Sequence, residues 1–165
     1  MKYIYKTSVE NHDEIKKLLL EQIDLIPNNP FNVDGCKLFH TDWNLPLEMH
    51  REYKFLFFKT VEEHLKKIAL DLEVSNVEFT NFWFQQYKEN SIHGWHTHPD
   101  CNYANVYFLE CPEGAFTEFK NFQIDCKEGD IISFPAFLPH RSPIINKEYR
   151  KTVIAFNTNF VFRNA

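Results

Sequence analysis

No run of apolar residues in this chain approaches the roughly 18 that would make a membrane-crossing helix. The opening residues, Met1-Lys2-Tyr3-Ile4-Tyr5-Lys6, lack the apolar stretch of a secretory signal. The four cysteines, Cys36, Cys101, Cys111 and Cys126, form no CxxC pair and no dense framework, which argues against a disulfide scaffold and against metal ligation by sulfur. They are expected as reduced, half-buried thiols. Basic excess is missing too: the net charge is −5 and the pI about 5.9, which disfavours nonspecific nucleic-acid binding. A small acidic ligand stays open, because one buried arginine can hold a carboxylate inside an acidic protein. Neither an internal repeat nor a low-complexity segment is visible. The expectation is a cytoplasmic protein (the host's cytoplasm if phage-encoded), with no membrane and no nucleic-acid partner and with oligomeric state open.

What is present points to a packed core. The 165 residues are 44% hydrophobic and 16% aromatic, with 17 Phe, enough for one domain spanning residues 1–165. Residues 1–75 read as helical support. Asp13 and Glu14 open a helix on which Ile15, Leu18, Leu19 and Ile23 recur at helical spacing, and Pro27 and Pro30 close it. A linker rich in Asn, Pro and Gly runs from Phe31 to Trp43. A longer helix is expected from about Pro46, with Met49, Tyr53, Phe57, Val61, Leu65, Ile68 and Leu72 on its apolar face and His50 and His64 off it, toward solvent.

Residues 76–165 read as strands. Val77–Tyr87, Tyr103–Leu109, Phe116–Phe119, Phe122–Cys126, Ile131–Phe134 and Lys151–Phe162 are rich in β-branched and aromatic residues, with a turn expected at Asn90–Gly94. Short strands with turn signals between them suggest a jelly roll with helices packed outside.

The chemistry concentrates in Trp95-His96-Thr97-His98-Pro99-Asp100 and in a distant His140. Residues two apart on a strand share a face, so His96 and His98 can grip one ion, with His140 as third ligand and coordination positions left open. Asp100 has the same parity, so His98 and Asp100 form an alternative pair. Pro99 cannot donate to a ladder, which ends strand pairing about there and favours His96 with His98. His93, followed by Gly94, reads as a turn residue. Pro135 and Pro139 stiffen the segment delivering His140. Arg150 opens a strand on which Thr152, Ile154 and Phe156 share its face. A guanidinium among inward apolar residues needs an anion, and it matches a carboxylate in a two-pronged way, with Thr152 adding a hydroxyl. Arg141 and Lys151 are expected to point outward. Trp83, Gln85 and Tyr87, with Asn105 and Tyr107, are either cavity lining or barrel core.

Taken in order, Trp95–Pro99, Val106-Tyr107-Phe108-Leu109, Gly129-Asp130-Ile131-Ile132-Ser133-Phe134-Pro135, His140-Arg141-Ser142-Pro143 and Arg150–Asn157 resemble the 2-oxoglutarate- and Fe(II)-dependent oxygenase superfamily. The likeness is greatest to its small members in bacteria and phages, and covers about Phe82 to Phe160. It implies a double-stranded β-helix of cupin-like type, and an oxidoreductase acting as a dioxygenase, a hydroxylase of an unidentified substrate. By the resemblance His96 and His140 would ligate Fe(II), and Arg150 would bind the distal carboxylate of 2-oxoglutarate. The reaction would consume dioxygen and release succinate and CO2.

Where most members carry an acid, this chain has His98. The aspartyl β-hydroxylases, which it also resembles through His-Thr-x-Pro, lack that carboxylate too. Three histidines are equally a zinc set. A cupin-like metalloprotein without 2-oxoglutarate chemistry, and a non-catalytic jelly-roll binding module, are the alternatives.

Overall fold

The computed structural model describes residues 3–146 and 148–161. In chain order the elements are β1 (Tyr5–Ser8), α1 (His12–Ile23), β2 (Phe31–Val33), β3 (Cys36–Leu38), β4 (His40–Thr41), α2 (Tyr53–Asp71), β5 (Asn76–Tyr87), β6 (Ile92–His96), β7 (Tyr103–Glu110), β8 (Phe116–Phe119), β9 (Gln123–Asp125), β10 (Asp130–Pro135), β11 (His140–Ser142) and β12 (Lys151–Val161). The strands form two antiparallel sheets of six, ordered β1-β10-β7-β12-β5-β4 and β2-β3-β6-β11-β8-β9. This is the double-stranded β-helix, with both helices outside the first sheet.

The first sheet is buried on both faces, because successive side chains of a strand point opposite ways. One face carries Phe84, Tyr107, Leu109, Ile131, Ile154 and Phe156 against Leu19 and Ile23 of α1 and Tyr53, Phe57, Val61 and Ile68 of α2. The other face carries Tyr87, Ala104, Phe108, Ile132, Phe134 and Val153 toward Leu38 and Phe119 of the second sheet. Along β12, therefore, Ile154 and Phe156 meet the helices, while Lys151, Val153 and Ala155 line the interior.

The structure departs from the sequence reading in several elements, beginning with β1, a strand within the segment read as helical. Residues 31–43 are not a linker: β2, β3 and β4 join both sheets, each too short for its alternation to register as a strand. The second helix starts at Tyr53 rather than near Pro46. The buried Arg51 explains this, for its guanidinium pairs with Asp42 at 3.0 Å and donates to the carbonyls of Leu45, Pro46 and Met49, folding that segment around a cation. His64 does not face solvent; it lies three residues beyond Val61 on the buried face of α2. Last, the turn expected at Asn90–Gly94 closes earlier, with Ser91 N–H donating to the Lys88 carbonyl, and Gly94 lies within β6. A Cβ at Gly94 would stand 2.6 Å from the Gly35 carbonyl oxygen, so close approach of the β2–β3 turn is what requires glycine there.

His64 organises a buried polar chain. The Asn105 amide nitrogen donates to the carbonyls of Tyr103 and Phe156, leaving its oxygen to accept from the Ser133 hydroxyl. Ser133 Oγ then accepts from His64 Nε2 at 2.6 Å, and His64 Nδ1 accepts from Thr7 Oγ1 at 2.6 Å. This directed chain uses the neutral Nε2–H imidazole, and burial pushes the His64 pKa down to about 4.

Candidate metal centre

His96 and His140 are direct cross-strand partners, β6 against β11, and their ring centroids are 4.2 Å apart. His98 lies just past the end of β6, where its backbone N–H donates to the Ala136 carbonyl at 3.0 Å. Its ring is 5.1 Å from His96 and 5.2 Å from His140. One ligand nitrogen from each of the three lies within 4.8 Å of the others, and Asp100 is not in that cluster. Of the two pairings the sequence left open, the structure brings together His96 and His98.

The donor set fits a divalent transition metal. Only N–H can face a carbonyl, so His96 Nδ1 donates to Gly94 O at 2.8 Å and His140 Nδ1 donates to Leu138 O at 2.9 Å. This leaves both Nε2 lone pairs free, the arrangement that orients metal-binding histidines through their second nitrogen. Asn157 lies beside His98 and raises its basicity. Burial nevertheless lowers all three pKa values, reinforced by neighbouring rings at His98 and His140, to about 3 for His140 and about 4 for His98. The rings are neutral at physiological pH and available as ligands.

Arg150 and Thr152 do not come to this site. Arg150 Nε pairs with Glu110 at 2.8 Å, its terminal nitrogens reach Glu110 and Asp24, and the Thr152 hydroxyl donates to Glu110. The strand parity behind the expectation is right, but the face bearing Thr152, Ile154 and Phe156 packs on the helices. Lys151, expected outward, instead lines the interior cavity with the three histidines and is 4% exposed. Its ammonium donates to Ser142 Oγ at 2.8 Å and lies 4.9 Å from the centre of the Tyr87 ring, and no carboxylate pairs with it among the described residues. Burial pulls its pKa down to about 8. Arg141 also lines this cavity, although its Nε pairs with Glu118 at 2.7 Å.

Trp83, Gln85 and Tyr87 line the cavity as cavity residues, whereas Tyr107 turns to the helices, where its hydroxyl meets His12. His93 is no turn residue. It lies in β6 with its ring stacked on His96 at 3.9 Å, and its Nδ1 accepts from the Gln85 amide at 3.3 Å. Sequence reasoning missed Lys151 and His93. A usable signal existed for Lys151: its face continues with the smaller Val153 and Ala155, as a cavity wall would, while the bulkier Ile154 and Phe156 suit a helix interface.

Fold and site together define a class, a double-stranded β-helix carrying a histidine cluster and a buried cation between its sheets. Solved structures of that fold include a viral collagen prolyl hydroxylase from Paramecium bursaria Chlorella virus-1 in complex with 2OG, at 19% identity over 95% of this chain and 96% of that one, with a TM-score of 0.65. A Pseudomonas putida prolyl-4-hydroxylase is 14% identical over 99% of this chain and 95% of that one (TM-score 0.67). An oxidoreductase of the 2OG-Fe(II) oxygenase family from Burkholderia pseudomallei is 10% identical over 98% and 88%, with a TM-score of 0.71. No family model and no curated protein sequence matches the chain.

Proposed function

We propose that this protein is a 2-oxoglutarate-dependent Fe(II) oxygenase, a hydroxylase of a substrate C–H bond. The observation that carries this reading is one cavity holding both three neutral, convergent imidazoles and a buried ammonium without a counter-ion. His96, His98 and His140 would hold Fe(II), which supplies dioxygen activation coupled to decarboxylation of the 2-oxo acid. Lys151 would hold the distal carboxylate, with Ser142 positioning the ammonium. A buried cation is costly without an anionic partner, so a dicarboxylate satisfies what the fold leaves open. Three neutral ligands also leave the metal its full charge, which a dianionic cosubstrate offsets. The Tyr87 and Phe108 walls keep that end of the cavity dry, strengthening the ion pair. The likeness in fold to solved oxygenases, one of them complexed with 2OG, supports the same reading.

A second reading, a zinc-binding cupin-like protein, is favoured by one feature: His98 stands where a carboxylate would select iron. Anaerobic titration with Fe(II) and 2-oxoglutarate separates the two. The oxygenase reading expects a weak visible charge-transfer band that needs both additions and is lost in His140→Ala. No band and no 2-oxoglutarate binding at millimolar concentration would leave the zinc reading standing.

A further inference from the structure

A second cavity of about 410 Å³ opens beside the histidines, sharing His96, His98, His93 and Trp83 with the first. Trp43, Trp83, Phe31 and Leu38 give it an apolar and aromatic lining, and Thr80, Asn81, Gln85, Thr97 and Asn157 add neutral polar groups. Trp43, half exposed, packs edge-on against Trp83 at 4.4 Å, and Trp83 stacks on His98 at 6.2 Å. Phe31 and Leu38 of the second sheet also line it. No lysine or arginine lines it, in contrast to the first cavity with Lys151 and Arg141. Its single ionisable carboxylate is Asp100, exposed at the rim, with no ion pair or side-chain hydrogen bond among the described residues.

We infer that this cavity binds a small or side-chain-sized organic cation, an alkylammonium group held between the Trp43 ring and the Asp100 carboxylate, with its alkyl chain running inward past Trp83 toward the histidines. The chemistry is complementary on each count. An indole face attracts ammonium through its quadrupole, more so when water is partly excluded. The carboxylate adds a charge-assisted hydrogen bond, and the apolar floor takes the methylene chain. A volume of this order suits a ligand of that size. Charge also divides the two cavities cleanly: an anion goes to Lys151 and a cation to Asp100, so neither ligand competes for the other's place. Asp100, passed over as a metal ligand, thus acquires a role in substrate selection.

The inference rests on the oxygenase reading only for what happens to the bound cation; binding itself needs neither metal nor cosubstrate. The test uses the metal-free full chain and three probes of equal chain length, hexylammonium, hexan-1-ol and hexanoate, followed by quenching of tryptophan fluorescence. Hexylammonium is expected to bind about tenfold tighter than hexanol, and hexanoate, titrated into Lys151→Met so that the first cavity cannot take its carboxylate, more weakly than both. Asp100→Asn should remove most of the amine's advantage while leaving hexanol unchanged, and Trp43→Ala should weaken both. Hexanoate binding as tightly as the amine, or an Asp100→Asn protein that keeps the full preference, overturns the proposal. Lys151→Met keeps the amine preference if the two cavities are independent, and its loss there counts against the proposal. Amine binding in a protein that binds no 2-oxoglutarate would sink the oxygenase reading and leave this site intact.

Discussion

Lys151 concentrates the conflict between stability and function. Its ammonium is buried with a serine hydroxyl and two aromatic rings for company, and replacing an uncompensated buried charge by an apolar side chain is commonly stabilising. Lys151→Met is therefore expected to raise the unfolding free energy of the ligand-free protein, measured by urea denaturation, by about 1–4 kcal/mol, while weakening 2-oxoglutarate at least tenfold, the usual worth of a hydrogen bond to a charged group. Arg150→Lys is expected to leave 2-oxoglutarate affinity unchanged, because its fork is occupied by Glu110. Calorimetric titration of both variants checks the pair; a large loss in Arg150→Lys with none in Lys151→Met would return the cosubstrate to the helix-facing side of β12. At the proposed metal site, His98→Ala should lose Fe(II) and Asp100→Ala should retain it, since Asp100 lies outside the histidine cluster.

At the scale of elements, α2 matters for what it holds in place. Phe57 is fully buried and contacts Phe82, Phe156 and Phe79 across the sheet. Phe57→Ala should cost about 3–5 kcal/mol by chemical denaturation. His64 on the same helix supplies an acid-sensitive tie between α2, β1 and β10. Its pKa falls from 6.5 unfolded to about 4 folded, so the native state binds fewer protons and its stability is full above pH 6.5. That contribution declines as pH drops from 6.5 toward 4, by about 3 kcal/mol in all. His64→Gln should be less stable at pH 7.5 yet flatter between pH 6.5 and 4.5. Equal slopes for the two proteins would show that His64 does not carry the acid response.

For the whole molecule, the histidine cluster lies between the sheets, its members coming from β6, β11 and the segment after β6, with Lys151 of β12 lining the same cavity. Ligands that bind only this assembled arrangement should stabilise the entire fold by mass action, by about 2.7 kcal/mol at a hundred times their dissociation constant. Thermal denaturation should show a larger rise in Tm with metal and 2-oxoglutarate together than with either alone, and His140→Ala should abolish the joint effect. Among the described residues no helix is long and apolar enough to cross a membrane.

Much of this was legible in the chain. The His96-x-His98 spacing on a strand, with His140 framed by Pro135 and Pro139, follows from the two-residue period of a strand and the stiffness of proline, and the helix-then-strand order follows from hydrophobic period. Two things were not legible, for one physical reason: local pattern says that a residue is buried, not against what. β12 is apolar on both faces, so only the docking of α1 and α2 onto the Ile154–Phe156 face decided that Lys151, not Arg150, looks into the barrel. His64 follows Val61 by one helical turn, yet a polar residue there becomes core only because Ser133 and Thr7 arrive from distant strands. Between His96 and Asp100, alike in parity, Pro99 already favoured His96, and what the tertiary structure added is the pairing of β6 with β11 that sets His96 beside His140, a contact between residues far apart in the chain.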